Sequence, residues 1–164
     1  MTWPNYTGAA SFEEDAPVHT LWNPADRASL LDRVVRLSPD ATPAWGSMSA
    51  PRMVTHLTDA IHMAIGELAV APKSSPLSWW PLNSLVMFYL PWPKSAPTAP
   101  ELLARTPDEW ARALADLEAA MHRFSTRDIN GVWPPHPAFG QIGGSGWGRL
   151  AYRHSDHHLT QFRA

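Results

Sequence analysis

Eight histidines are the residues of this 164-residue, cysteine-free chain whose spacing is most informative about chemistry. Two of them, His154 and His158, lie four residues apart in YRHSDHHLTQF, so on a helix they share one face, one turn apart. Without cysteine, a metal site must use His, Asp or Glu, and any reacting thiol must come from a cosubstrate. The pair alone also fits a purely structural interpretation, in which hydrogen bonds satisfy two buried imidazoles.

A third histidine, His56, favours the metal-binding interpretation. It lies beside an apolar stripe in RMVTHLTDAIHMAIGE, about 10 Å into its helix at a rise of 1.5 Å per residue. His154 and His158 lie at a similar distance from the C-terminal end of the last helix. If these two helices run antiparallel, all three imidazoles reach one level of the core. Three converging histidines predict a metal site that keeps an open coordination position, unlike a closed four-ligand structural site.

The other polar candidates have more ordinary interpretations. His157 is a possible further ligand or a partner for a carboxylate, and His136 in HPAFG is expected to form a turn, with an approach to the core as the alternative. Asp59 and Asp156 are candidates to accept the second ring N–H of a ligating histidine, or are simply solvated charges. The histidines expected at the surface are His19, His62 and His122. The candidate general bases, none singled out by spacing, are Asp59, Glu67, Asp156 and His157.

Four helical segments must position these residues. The predicted helices run over residues 24–37, from the Ser49 cap to about Ala69, over residues 107–124, and from the glycine-rich stretch 143–148 to about Phe162. The third begins with a predicted capping box, in which Thr106 caps the helix and Glu109 reaches back. The start of the fourth is weakly specified, because each helical glycine costs about 1 kcal/mol relative to alanine.

The long link at residues 70–105 joins predicted helices two and three. A crossover of this length lets the two helices run parallel. The sequence therefore predicts an all-α fold, a four-helix bundle in up-down-down-up order with a long Pro-rich crossover between helices two and three. Residues 23–164 form its single domain, and residues 1–22 are an N-terminal arm. Within the crossover, residues 79–92 (WWPLNSLVMFYLPW) predict a short buried helix that caps the core, or else an exposed apolar lid or dimer surface.

Composition narrows the function classes. The formal net charge of -2 argues against a nucleic-acid partner, which requires a basic surface. No apolar run approaches the roughly 18 residues needed to span a bilayer, and the N-terminal residues lack the pattern of a signal peptide. A cytoplasmic protein without a membrane partner is therefore expected. The 17 prolines accompany 45% hydrophobic residues, which predicts a folded domain with stiff connections.

The motif HPAFG followed by WGRLAYRHSDHHLTQF resembles the C-terminal signature of the DinB/YfiT-like superfamily, in particular a branch of uncharacterised function. The segment RMVTHLTDAIHMAIGE resembles its second helix, so the resemblance runs from about residue 22 to 162. It implies a four-helix bundle in which three histidines hold zinc or nickel, and by position these match His56, His154 and His158. The stretch IGGSGWG departs from the acidic, well-capped start of the last helix that the family would lead one to expect.

Characterised members of that superfamily include thiol-dependent S-transferases and a maleylpyruvate isomerase, and many are dimers. The resemblance thus implies a metal-dependent transferase or hydrolase that acts on a small molecule, with a low-molecular-weight thiol as a candidate cosubstrate and a homodimer as a candidate assembly. Two alternatives stay open. One is a non-enzymatic bundle that binds an apolar ligand or a protein partner through residues 79–92, and the other is a family member that keeps its metal for stability.

Overall fold

The computed structural model describes residues 18–73, 79, 81–94 and 98–164. These residues form five α-helices and a short 3₁₀ helix, with no β-strand among them, which confirms the all-α class. The helices are α1 (Pro24–Val35), α2 (Ala50–Ala64), α3 (Leu82–Phe88), the 3₁₀ helix Pro100–Leu103, α4 (Trp110–Ser125) and α5 (Gly143–Gln161). In this described part of the chain, none of the helices is long and apolar enough to cross a membrane. Most of the predicted N-terminal arm, residues 1–17, lies outside it.

The starts of α1 and α2 follow the predicted caps. The Asn23 side chain accepts from the Ala25 amide, and the Ser49 hydroxyl accepts from the Arg52 amide. The predicted end of α2 near Ala69 is wrong. The helix stops at Ala64, because the chain turns at Gly66, whose φ of 81° is the left-handed conformation that glycine adopts readily.

The predicted capping box of the third long helix is also wrong. Helix α4 begins at Trp110, three residues later than expected, and Glu109 is its cap. The Glu109 carboxylate accepts from the amides of Ala111 and Arg112, which satisfies the donors that a capping hydroxyl would otherwise serve. The preceding Asp108 is instead bound to Arg105 at 3.2 Å, outside the helix.

Helix α2 is the central helix of the fold. Twelve of its fifteen residues are buried, because it packs on α4, α5 and the 3₁₀ helix at once. The other long-helix contacts join α1 to α5 and α1 to α4. The large side chains of α2 and α4 that are at most 2% exposed include Leu57, Ile61, Leu117, Met121 and Phe124.

Hydrogen bonds at the helix ends fix how these helices lie beside one another. Near the end of α1, Arg33 binds Asp156 of α5 at 2.7 Å. After α4, Arg127 donates to the Ile65 carbonyl just beyond α2 at 2.8 Å. Ahead of α2, the Ala44 amide donates to the carbonyl of Gln161 in the last turn of α5 at 2.7 Å. The last turn of α5 therefore lies beside the chain that leads into α2.

The glycine-rich start of α5 is a packing surface. A Cβ atom on Gly148 would lie 2.4 Å from Cδ1 of Trp22, and one on Gly144 would lie 2.3 Å from the Ile129 carbonyl oxygen. Both separations are far below van der Waals contact. Glycine is therefore required there by the close approach of neighbouring segments, which outweighs its cost of about 1 kcal/mol in a helix.

The crossover contributes α3, which packs on α5. Asn83 and Met87 are buried there, whereas Leu85 is 46% exposed and Tyr89 is 70% exposed. Arg153 of α5 donates to carbonyls at the end of α3 and just after it, which fastens the segment to the core. The predicted short helix is present, with one face buried and the other exposed. Trp80 in this segment lies outside the described residues.

Candidate metal centre

Three histidines from two helices converge in the core. His56 of α2 is 2% exposed, and His154 and His158 of α5 are half-buried. Their ring centroids are 4.9, 4.9 and 4.8 Å apart, an almost equilateral triangle. One ring nitrogen of each lies within 4.8 Å of the others, and Nε2 of His56 is 3.1 Å from Nε2 of His154. The three residues that the sequence predicts as one site therefore come together.

Hydrogen bonds fix the tautomers of two of these rings. Nδ1 of His56 lies 3.3 Å from the Leu102 carbonyl, which can only accept, so Nδ1 carries the proton. Nδ1 of His158 lies 2.9 Å from Oε1 of Gln161. The amide of Gln161 is oriented by its Nε2, which donates to the Trp45 carbonyl at 2.7 Å, so Oε1 faces His158 as an acceptor. Both rings are therefore left with a lone pair on Nε2.

This donor set suits a divalent metal ion. Tetrahedral coordination with Zn–N bonds of roughly 2.0–2.1 Å places ligand nitrogens about 3.3 Å apart, close to the separation of the His56 and His154 nitrogens. Burial lowers the pKa of all three histidines, to about 4 for His158, and the neighbouring imidazoles lower those of His154 and His158 further. The rings are consequently neutral at pH 7, as ligands must be. The group could hold a metal ion.

The acidic residues are not the partners of these rings, which corrects one expectation. Asp59 is buried but bound to Arg105 at 3.0 Å, and Asp156 is bound to Arg33 at 2.7 Å. The ring N–H groups are accepted instead by the Leu102 carbonyl and by Gln161. The spacing of three residues between His158 and Gln161 on one helix could have revealed the second partner. The first is a backbone carbonyl from the crossover, which no sequence pattern marks.

The remaining histidines do not belong to the group of three, although the ring of His157 lies 5.4 Å from that of His158. The ring of His157 lies 6.0 Å from that of Trp45 and 5.9 Å from that of Trp92, and it is not one of the converging ligands. His62 accepts from Arg123, which also binds Glu67 at 3.3 Å. The candidate bases Asp59, Glu67 and Asp156 are thus each paired with an arginine. Of the other predicted surface residues, His122 is exposed and His19 binds Asp26 at 2.7 Å.

A cavity of about 560 Å³ opens beside the three histidines, all of which line it. Most of its wall is apolar, with side chains from α2, the crossover, the HPAFG loop and α5. Among them are Leu57, Ile61, Trp92, Phe139, Trp147 and Leu150. The other polar residues that line it are Lys73, Lys94, Thr98, His136, Ser155, His157 and Gln161. The arrangement combines a set of nitrogen ligands with space for an organic molecule of moderate size.

The HPAFG loop closes one side of this cavity. The backbone amides and carbonyls of His136 and Gly140 pair at 2.8 and 2.9 Å, and the ring of His136 lies 5.1 Å from that of Trp147. His136 therefore both forms the predicted turn and reaches the cavity. The turn and the approach to the core, which the sequence predicts as alternatives for His136, therefore occur together.

Comparison with known proteins relates the C-terminal part of the chain to one family. The profile of a family described as "protein of unknown function (DUF1569)" matches residues 91–164. The matched region contains α4, the HPAFG loop and α5, and so includes His154 and His158 but not His56. No curated protein and no solved structure matches the chain.

Proposed function

We propose that this protein is a divalent-metal-dependent enzyme whose metal is held by His56, His154 and His158. The observation that carries the proposal is the convergence of three neutral imidazoles, two with an Nε2 lone pair fixed by hydrogen bonds, at the wall of an apolar cavity. Zinc is the proposed metal, with nickel as the alternative, since imidazole suits both.

The reaction class follows from what such a site supplies. A divalent ion with three protein ligands and an open position lowers the pKa of a bound water or thiol, giving a nucleophile near neutral pH. Thiol-dependent group transfer and hydrolysis are the two reaction types that use such a nucleophile. With no cysteine in the chain, the thiol would be a low-molecular-weight cosubstrate. The apolar wall around the histidines would keep bulk water away from the reacting groups.

The proposed fold family is the DinB-like superfamily, with its four-helix bundle. The contacts of α1 with α4, α4 with α2, α2 with α5 and α5 with α1 support it, since they close a ring of four long helices. The end of α1 lies beside the later part of α5, the ends of α2 and α4 adjoin, and the end of α5 adjoins the start of α2. These neighbours support the up-down-down-up order.

The first test is the metal content of purified protein that carries no histidine tag. The proposal predicts one equivalent of zinc or nickel, lost in His154→Ala and kept in the matched control His122→Ala, since His122 is exposed on α4. Added metal should also raise the melting temperature of the wild type but not that of His154→Ala. Wild-type protein that neither contains metal nor gains stability from it would overturn the proposal.

A second candidate function is binding of an apolar ligand or a protein partner, including a second copy, through the crossover segment. Its support is the exposure of Trp79 at 75%, Leu85 at 46% and Tyr89 at 70%. Sedimentation of the wild type and of the double variant Leu85→Ser, Tyr89→Ser tests the homodimer. A dimer that dissociates in the variant while its metal content is kept would support this role. An unchanged assembly state would count against self-association through this face.

A further inference from the structure

The ring of His136 has the opposite tautomer from the rings of the metal centre. Its Nδ1 lies 3.1 Å from the Ala138 amide and 3.2 Å from the Phe139 amide. Backbone amides only donate, so Nδ1 must offer a lone pair to both. In the neutral ring the proton is therefore on Nε2.

The surrounding loop holds this ring in place. It lies 4.7 Å from the ring of Phe139 and 5.1 Å from that of Trp147, between centroids. The indole of Trp147 is itself anchored, since its Nε1 donates to the Pro134 carbonyl at 2.9 Å. Burial lowers the pKa of His136 to about 4, so the ring stays neutral at pH 7.

The N–H of this ring is available to a ligand. His136 lines the cavity that the three ligating histidines also line. Among the described residues, no acceptor lies within hydrogen-bonding distance of its Nε2, while both of its Nδ1 contacts are within its own loop. The cavity thus contains lone pairs on His56 and His158 and an oriented N–H donor on His136.

We propose that His136 is a substrate-binding residue whose Nε2–H donates to an oxygen acceptor, a carbonyl or a carboxylate, on an otherwise apolar substrate. The substrate class follows from the wall, most of which is apolar. An oxygen acceptor can bind the N–H of His136 while an apolar body packs on the surrounding side chains. This deepens the proposed function, on which it rests for the reaction. Binding through His136, however, does not require the metal.

Binding of three small probes tests the proposal by calorimetry or by NMR titration. Benzamide offers a neutral carbonyl, benzoate a carboxylate, and toluene no oxygen. The variant His136→Asn keeps a short side-chain acceptor for the loop amides but removes the Nε2 donor. The matched variant His136→Gln keeps a donor near the position of Nε2. We expect His136→Asn to bind benzamide, benzoate or both about 3- to 10-fold more weakly, the value of one hydrogen bond. His136→Gln should retain more of the affinity, and toluene should bind all three proteins equally.

The two oxygen probes distinguish the source of the acceptor. A loss confined to benzoate identifies a carboxylate substrate, and a loss confined to benzamide identifies a carbonyl substrate. An equal loss for toluene, no loss for either oxygen probe, or no binding of any probe would overturn the proposal.

A second measurement needs no variant. Long-range ¹H–¹⁵N spectra of the wild-type protein report which nitrogen of His136 is protonated, and a proton on Nδ1 would overturn the proposal. Both experiments are run with chelator and with added zinc. Loss of oxygen-probe binding in His136→Asn under chelator supports this inference even if the protein proves to bind no metal. Tight zinc binding without any effect of His136 leaves the metal centre standing and removes the inference.

Discussion

The two ends of α5 meet opposite physical demands. Its first turns contain Gly144 and Gly148, where any side chain would collide with the Ile129 carbonyl or with Trp22. Its last turns contain His154, His158 and Gln161, whose side chains lie in or beside the candidate metal centre. The first turns require glycine, which has no side chain, whereas the last turns depend on polar side chains and their hydrogen bonds. Fold and site can therefore be perturbed separately within a single element.

The largest effect is expected at the functional end. His154→Ala should weaken zinc binding at least 1,000-fold, on the order of 4 kcal/mol by the tenfold-per-1.4 kcal/mol relation, because only two imidazoles remain. In chelator, its urea-unfolding midpoint at pH 7 should stay close to that of the wild type. A variant that loses metal only because it unfolds would contradict the claim that the last turns of α5 affect metal binding rather than stability.

The opposite pattern is expected at the glycine end. Gly144→Ala should lower the free energy of unfolding by about 3 kcal/mol despite the better helix propensity of alanine, because the new methyl overlaps the Ile129 carbonyl and Trp133. Ser145→Ala, at the adjacent exposed position, is the matched control and should change stability little. The folded fraction of Gly144→Ala should still bind one equivalent of zinc. A neutral Gly144→Ala would show that the close approach has no energetic weight.

Gln161 lies at the functional end of α5 and acts on the candidate metal centre indirectly, by orienting the ring of His158. Gln161→Leu should reduce zinc affinity 10- to 100-fold, the effect typical of a partner that orients a ligand. Asp59→Asn is the informative control, because Asp59 is bound to Arg105 rather than to a ligating ring. Competition with a zinc indicator should give at most a threefold change for it. A larger loss for Asp59→Asn than for Gln161→Leu would reverse the assignment of partners.

The smallest effect concerns pH. A histidine whose folded-state pKa lies below the unfolded value of about 6.5 takes up protons more readily when unfolded. Its stabilising contribution is therefore complete above pH 6.5 and is lost as the pH falls towards the folded-state value. For His136, with its pKa lowered to about 4, this amounts to at most about 2 kcal/mol between pH 7 and pH 5.

Urea titrations of the chelator-treated protein check this, and His136→Asn should show a weaker dependence on pH. The histidines of the candidate metal centre contribute with the same sign, since their pKa values are lowered as well. Stability that is equal at pH 7 and pH 5 would contradict the burial of these neutral rings.

The histidine site could be predicted because the helical periodicity determines which histidines share a face. The four-residue spacing of His154 and His158 and the depth of His56 in its helix predict the convergence once the long crossover sets the two helices antiparallel. The partners of the ring N–H groups were less accessible. Asp59 and Asp156 have suitable spacing, but Arg105 and Arg33 from distant segments bind them instead. The carbonyl that replaces them, at Leu102, comes from the crossover, where side-chain type says nothing about backbone position.

The helix boundaries show the same limit. The apolar stripe of α2 continues past its true end, because periodicity does not register the left-handed turn at Gly66. The glycines of α5 were visible, but their reason was not, since the segments that approach them lie elsewhere in the chain. Trp22, for instance, is more than a hundred residues from Gly148.

The most direct test is an anomalous-scattering map from crystals of the wild-type protein grown with zinc, collected on both sides of the zinc absorption edge. The account predicts a single strong peak within bonding distance of Nε2 of His56 and of His158 and of one ring nitrogen of His154, facing the cavity. The same crystals of His154→Ala should lack it. A map without a peak there, or with zinc held by other residues, would contradict the assignment of the metal centre.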